Sequence, residues 1–358
     1  MSAKQYIEDL MYGRRKSFWL GPLLLLISAL YGLAVTLRHG LYRLGVFKKR
    51  ALPCRVISVG NITLGGTGKT PAVIAIARLL LKQGQHPAVL SRGYGRERES
   101  DLLVVSDGSM SAVDAARGGD EPLLIASKAP GVPVVVGADR YQAGRLALER
   151  FRPDVLVLDD GFQHIRLARD LNIALLDASD PVGNGRLFPA GILREPLSAL
   201  KRADVVLITR ADRAKDAEKL KEVIGRHTAA RIFASRQSPV DLVDDMTGIT
   251  RPLSFLRGEP VLAFSGIARP ASFFSLLRQL GAVVRTELAY PDHYQYKDSD
   301  MDVIIRKAAD EAAGLIITTE KDAIRIRALK PTGIWSLRIE QQVLEAEAWE
   351  RMIREQSA

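Results

Sequence analysis

A chain of 358 residues, 47% hydrophobic and 26% charged, has room for about two domains around a sizeable core, and its composition excludes a long disordered tail. Lys and Arg number 51 against 41 Asp and Glu, a net charge of +10, which favours anionic partners such as nucleic acid, anionic lipid or phosphorylated substrates. No zinc-finger or RNA-binding signature is present, so no nucleic-acid partner is expected, and the single cysteine, Cys54, excludes an intramolecular disulfide and reads as a small core residue ahead of a strand.

Residues 18–37, FWLGPLLLLISALYGLAVTL, carry no charge. Twenty residues of helix span about 30 Å, the thickness of a bilayer core. Arg14, Arg15 and Lys16 precede the run, and Arg38, Arg43, Lys48, Lys49 and Arg50 follow it. Trp19 and Tyr31 are placed as interfacial aromatics. No small-residue cleavage site follows, which argues against a cleaved signal peptide. Residues 1–40 therefore read as a membrane anchor with basic flanks on anionic lipid. Two forms of it stay open: a spanning helix, or one lying in a single leaflet. Gly21-Pro22 disturbs a straight helix near its start.

Beyond the anchor, short apolar runs alternate with helical periodicity. Strands are expected at 55–59, 87–90, 102–105, 132–136, 155–158, 173–176 and 205–208, with helices at 69–83 and 139–151. This rhythm predicts a P-loop NTPase-like α/β domain over 41–235, a mostly parallel sheet with helices on both faces. It breaks over 236–259, where a linker or small hairpin is expected. A smaller α/β domain follows over 260–358, with strands at 261–265, 283–288, 315–319 and 334–338 and helices at 271–280, 298–313 and 345–354.

The sharpest motif is VGNITLGGTGKTP, residues 59–71. A strand enters, a glycine-rich loop follows and a helix leaves, so backbone N–H groups can close around phosphates at a helix N-terminus. Thr63, Leu64, Gly65, Gly66, Thr67, Gly68, Lys69 and Thr70 are the expected ATP-binding residues. Lys69 would reach the β- and γ-phosphates and the Thr70 hydroxyl would ligate Mg2+. The general pattern asks for glycine where Thr63 stands; the loop has the G-G-x-G-K-T form instead. A second motif, VLVLDDGFQH at 155–164, brings Asp159 and Asp160 out at the C-terminal end of a buried strand. Ligands of open parallel sheets bind at that end, and carboxylates there can hold the Mg2+ shell.

These motifs stand in order with SRGYGR (91–96), GDEP (119–122), Ala138-Asp139-Arg140, GNGRLFPAGILREP (183–196), FSGIARP (264–270), DHY (292–294) and TTEKDA (318–323). Together, over nearly the whole chain, they resemble the lipid A 4'-kinase family, the tetraacyldisaccharide 4'-kinases; Phe188 is a departure within its motif. The resemblance implies two α/β domains joined by a short β linker, with the active site between them. It implies transfer of phosphate from ATP to the 4'-hydroxyl of a tetraacylated glucosamine disaccharide 1-phosphate, giving lipid IVA. It also implies a bacterial inner membrane with the active site on the cytoplasmic side. Asp120 is then the base for the sugar hydroxyl, working with His293, since an unactivated hydroxyl is a poor nucleophile. Arg140 and the Arg194-Glu195 pair are further candidates, guanidinium groups being suited to the charge of a transferring phosphoryl group. Glu121 is a candidate contact of the metal shell, and Gln163 and His164 shape their loop. A tetraacylated acceptor stays in the bilayer, at about 0.8 kcal/mol per buried CH2, which gives the anchor a reason. Protein partners are left open.

Two other readings compete. The same loop form occurs in switch ATPases and GTPases, and Thr209-Arg210-Ala211-Asp212 distantly resembles a guanine-reading T-K-x-D. Arg replaces Lys there, however, and Asp159 and Asp160 lack the D-x-x-G of a switch. A multi-span transporter is excluded by a single apolar segment of spanning length.

Overall fold

The computed structural model describes residues 3–15, 17–109, 113–214 and 216–355; Lys16, expected among the cations before the apolar run, lies outside them. Two helices lead, α1 (Ala3–Met11) and α2 (Leu20–Arg43). A first lobe follows: β1 (Arg55–Asn61), α3 (Lys69–Lys82), β2 (Pro87–Ser91), β3 (Leu103–Ser106), α4 (Ala115–Gly118), α5 (Asp120–Lys128), β4 (Val134–Val136), α6 (Arg140–Phe151), β5 (Val155–Asp159), β6 (Leu171–Asp177), β7 (Val205–Thr209) and α7 (Ala217–Gly225). Then come β8 (Arg231–Val243), β9 (Thr250–Pro252), β10 (Pro260–Ser265), α8 (Pro270–Gln279), β11 (Val283–Ala289), α9 (Asp298–Asp310), β12 (Leu315–Thr319), α10 (Glu320–Ile326), β13 (Ile334–Val343) and α11 (Ala346–Glu355).

The strands form one path, β11-β10-β12-β13-β8-β7-β6-β1-β5-β2-β4-β3, with β9 on β8. From β8 to β4 every pair is parallel, and β5, β6 and β7 are buried along their whole length, as strands covered on both faces must be. The mostly parallel sheet with flanking helices is the α/β class expected.

The expected break at 236 falls inside a continuous strand. Residues 231–234 of β8 pair parallel with β7, and residues 235–243 pair antiparallel with β13. Between the lobes this ribbon is half-buried on both faces, so its sequence, RQSPVDLV, has no apolar run to mark a strand. Within the region, β9 pairs antiparallel with β8.

The chain end also crosses back. Trp349, Met352 and Ile353 of α11 pack in the first-lobe core with Ile57, Val59 and Ile76, and Trp349 meets Phe233 edge-on at 5.4 Å. Residues 346–355 thus help close the first lobe rather than the second. Trp349→Ala is expected to cost about 3–5 kcal/mol, measured by urea unfolding; a loss under about 1 kcal/mol would show that α11 is only loosely attached.

Candidate active site

The phosphate loop leaves β1 between β5 and β6. Its first residues are already engaged: Thr63 bridges Leu193, and the Leu64 amide donates to the Ile192 carbonyl at 2.7 Å. The part free to face an anion is therefore Gly65 to Thr70. Gly65 and Gly68 hold φ of +95° and +83°, where a side chain would be strained. Gly68 caps α3 with no side-chain hydrogen bond, so the first-turn amides point outward for an anion. A Cβ on Gly66 would meet nothing within 4 Å, which leaves an open cradle. The loop is held from behind by Thr209 Oγ1 on the Thr67 carbonyl at 2.9 Å and Arg210 Nη1 on the Gly66 carbonyl at 3.0 Å. Thr67 Oγ1 is buried with no partner among the described residues. Lys69 Nζ lies 3.3 Å from Asn61 Oδ1 and 3.5 Å from Asp160 Oδ1. These features fit a nucleotide polyphosphate.

The two adjacent aspartates differ in state. Asp159 is buried; Oδ2 accepts from Ser91 Oγ at 2.9 Å, and Oδ1 has no donor among the described residues. Burial first, then Glu121 and Asp160, push its carboxyl up to about 7. Asp160, at φ +51°, receives Arg194 Nη1 at 3.1 and 3.0 Å on its two oxygens. Burial raises Asp160, but Lys69 and Arg194 outweigh it and hold the group below the usual carboxylate range. A buried carboxyl with an orphaned oxygen beside a charged one is the environment a divalent cation relieves, and Mg2+ needs only one or two carboxylates beside phosphate oxygens. The Thr70 hydroxyl makes no hydrogen bond to a described residue and remains available as a ligand. Glu121 already has a cation: its Oε1 accepts from Lys321 Nζ at 2.6 Å, and Lys321 foremost holds it low.

Arg140 opens α6 and is buried, its Nη1 on the Gly137 carbonyl at 3.1 Å and its Nε without a partner among the described residues. Burial lowers its pKa, against the pull of Asp159 and Asp160. Gln163 Nε2 braces the Asn61 carbonyl at 2.8 Å. His164 is driven down to about 4 by burial, then Arg140 and Arg169, and is neutral at pH 7.

The lobes meet at Asp120, the first residue of α5. Its Oδ2 accepts from Arg325 Nε at 2.7 Å and lies 3.2 Å from His293 Nδ1; Oδ1 accepts nothing from a described residue. His293 sits in the left-handed region at φ +59°, which histidine adopts more readily than most non-glycine residues. The Asp120 hydrogen bond, against burial, raises the imidazole above its ordinary pKa. For Asp120, burial works upward, but His293 and Arg325 prevail and hold it low. Arg325 is itself clamped to Asp322 at 2.8 Å and to the Gly266 carbonyl at 2.7 Å. Asp322 is fully buried and also takes Ser265, Gly266, Tyr296 and Thr319. A rigid second-lobe network thus presents His293 and Arg325 to a first-lobe carboxylate.

The family model described as tetraacyldisaccharide-1-P 4'-kinase matches residues 20–358. The chain belongs to this family. A tetraacyldisaccharide 4'-kinase of Syntrophus aciditrophicus is 44% identical over 347 residues, 93% of this chain and 92% of that one. One of Pelobacter propionicus is 46% identical over 332 residues, covering 92% and 90%. A crystal structure of an "apo" form of LpxK from Aquifex aeolicus in complex with ATP is 35% identical, covers 95% of this chain and 100% of its own, and has a TM-score of 0.80. Residues 3–15, with α1, precede the matched region.

Among tetraacyldisaccharide-1-P 4'-kinase residues anticipated from sequence, Lys69, Asp160 and Arg194 share direct contacts, as do Asp120 and His293. Glu195 instead turns away, to Arg202 Nη2 at 2.6 Å and to His39 Nε2 at 3.4 Å. Arg325 and Lys321 were not anticipated. The local pattern marks only the helix that carries them: Thr319 caps α10 by accepting from the Asp322 amide, and Asp322 and Arg325 stand three apart on one face.

Proposed function

We propose that the chain is an ATP-dependent 4'-kinase acting on a tetraacyldisaccharide 1-phosphate, and that it makes lipid IVA at the cytoplasmic face of a bacterial inner membrane. The observation that carries the reading is the convergence of a P-loop, an aspartate pair and an Asp–His pair at one inter-lobe site, in a chain of this family.

ATP lies on Gly65–Thr70, its γ-phosphate beside Lys69. Thr70 with Asp159 or Asp160 would hold Mg2+, which would supply positive charge to offset that of the transferring phosphate. Arg194 and Arg140 steady the charge that spreads over the phosphoryl oxygens. The sugar hydroxyl donates to the open Asp120 Oδ1. In a loose transition state the nucleophile loses its proton late, so a carboxylate of low basicity suffices as acceptor, and the Asp120–His293 pair takes the proton as a unit.

Support for the membrane part comes from α2, the one helix among the described residues long and apolar enough to cross a bilayer. Leu23, Leu26, Leu30, Leu33 and Leu37 are exposed, while the opposite stripe lies against the catalytic lobe. A spanning helix leaves its domain; this one stays beside it, which favours insertion into one leaflet.

The test is acceptor dependence. ADP formation is expected to require the lipid acceptor and to match phosphorylated lipid one for one. ADP released at the same rate without acceptor would instead identify a nucleotide switch.

A further inference from the structure

The inner stripe of α2 carries polar side chains at Ser28, Tyr31 and His39. Ser28, Tyr31, Val35 and His39 recur at three- and four-residue steps and, with Gly32, lie on the less exposed face of the helix. Ser28 Oγ donates to the Leu187 carbonyl at 2.8 Å, and Tyr31 Oη donates to the Arg194 carbonyl at 2.8 Å. Arg38 Nη2 reaches the Gln163 carbonyl at 3.1 Å. His39 Nε2 stands 3.4 Å from Glu195, a carboxylate only 2% exposed. Gly32 lets helix and loop touch, since a Cβ there would come within 2.7 Å of Leu187 Cδ1. Lipid attachment explains none of these contacts; any apolar helix would serve for that.

On its other side the same loop is stitched to the phosphate loop. The Arg194 amide donates to the Ile62 carbonyl at 2.7 Å, and the Arg194 guanidinium holds Asp160. The backbone of Arg194 is thus gripped between the extension of β1 and the membrane helix. Where that backbone sits decides where a long, rotatable side chain places its charge.

We propose that α2 is a positioning element of the active site: Tyr31, with Ser28 and His39 beside it, sets the backbone of residues 187–195 and through it the alignment of Arg194 on Asp160. The inference rests on the role given above to Arg194. It makes the membrane helix part of the catalytic lobe, so replacing it with another apolar helix would keep attachment and lose turnover.

Tyr31→Phe, in the full chain in detergent micelles, removes one hydroxyl and keeps the ring. Hydrogen exchange without nucleotide is expected to quicken about fivefold at the amides of Gly191, Leu193 and Arg194, as loss of one hydrogen bond implies, and nowhere in the central strands. The kcat is expected to fall by about the same factor, with KM for ATP unchanged. In a double-variant cycle, Tyr31→Phe added to Arg194→Ala is expected to cost nothing further. Wild-type exchange in this loop, an unchanged kcat despite faster exchange, or additive losses in the double variant would each overturn the proposal. The exchange readout needs no kinase activity, so a wild-type protein that failed to phosphorylate lipid would refute the proposed function and leave the exchange result standing.

Discussion

Lys69→Ala is expected to lower kcat about a thousandfold while leaving the protein folded. Lys69 is the cation of the phosphate loop itself, 3.5 Å from Asp160 and 3.3 Å from Asn61, and the proposed reaction gives its amine the γ-phosphate to hold. Removing one preorganised donor to developing charge commonly costs 10²–10³ or so in turnover. Asp160 keeps Arg194 as a counter-charge, so no unpaired buried carboxylate is created and the melting temperature is expected to move little. Steady-state kinetics beside thermal unfolding checks both halves. A variant within tenfold of the parent would mean that the loop does not carry the reaction.

Asp120→Asn is expected to lower kcat by about 10²–10⁴, the range for a positioned proton acceptor, with ATP affinity preserved. Asn keeps the shape but cannot take a proton, and it removes the anion that raises the His293 pKa. The sign for pH follows. A protonated imidazole cannot help accept the hydroxyl proton, so parent activity falls as pH drops through the apparent pKa of the pair, which Asp120 keeps above the ordinary histidine value of about 6.5. Without the anion that limb moves to lower pH. A pH–rate profile of kcat for both proteins reads the shift. If ATP binding collapsed while turnover per bound ATP survived, Asp120 would belong to nucleotide binding instead.

How much of this was legible depended on distance along the chain. Lys69 with its loop, and Asp159 and Asp160 at the end of an apolar run, are local patterns that periodicity and strand–loop–helix context expose. Asp120 and His293 lie 173 residues apart; no spacing rule joins them, and their pairing was anticipated only through the family resemblance. Arg325 stayed hidden because a charged residue on a short helix usually faces water, and only the packing of α10 against α5 turns it inward. Membership of lobes was the other gap. The β8–β13 ribbon carries too little apolar sequence to announce itself, and the amphipathic pattern of α11 predicts a helix without saying which core it covers. Helix α2 was readable as an apolar run, yet its polar side chains at Ser28, Tyr31 and His39 acquire meaning only against the loop they touch.

The central claim is phosphoryl transfer to a lipid-borne sugar hydroxyl. Its most direct test is the label from [γ-³²P]ATP, followed into tetraacyldisaccharide 1-phosphate in mixed micelles with Lys69→Ala in parallel. Labelled lipid bearing the new phosphate at the 4'-position, absent with the variant, is the predicted result. ATP hydrolysed with no label in the lipid would contradict it.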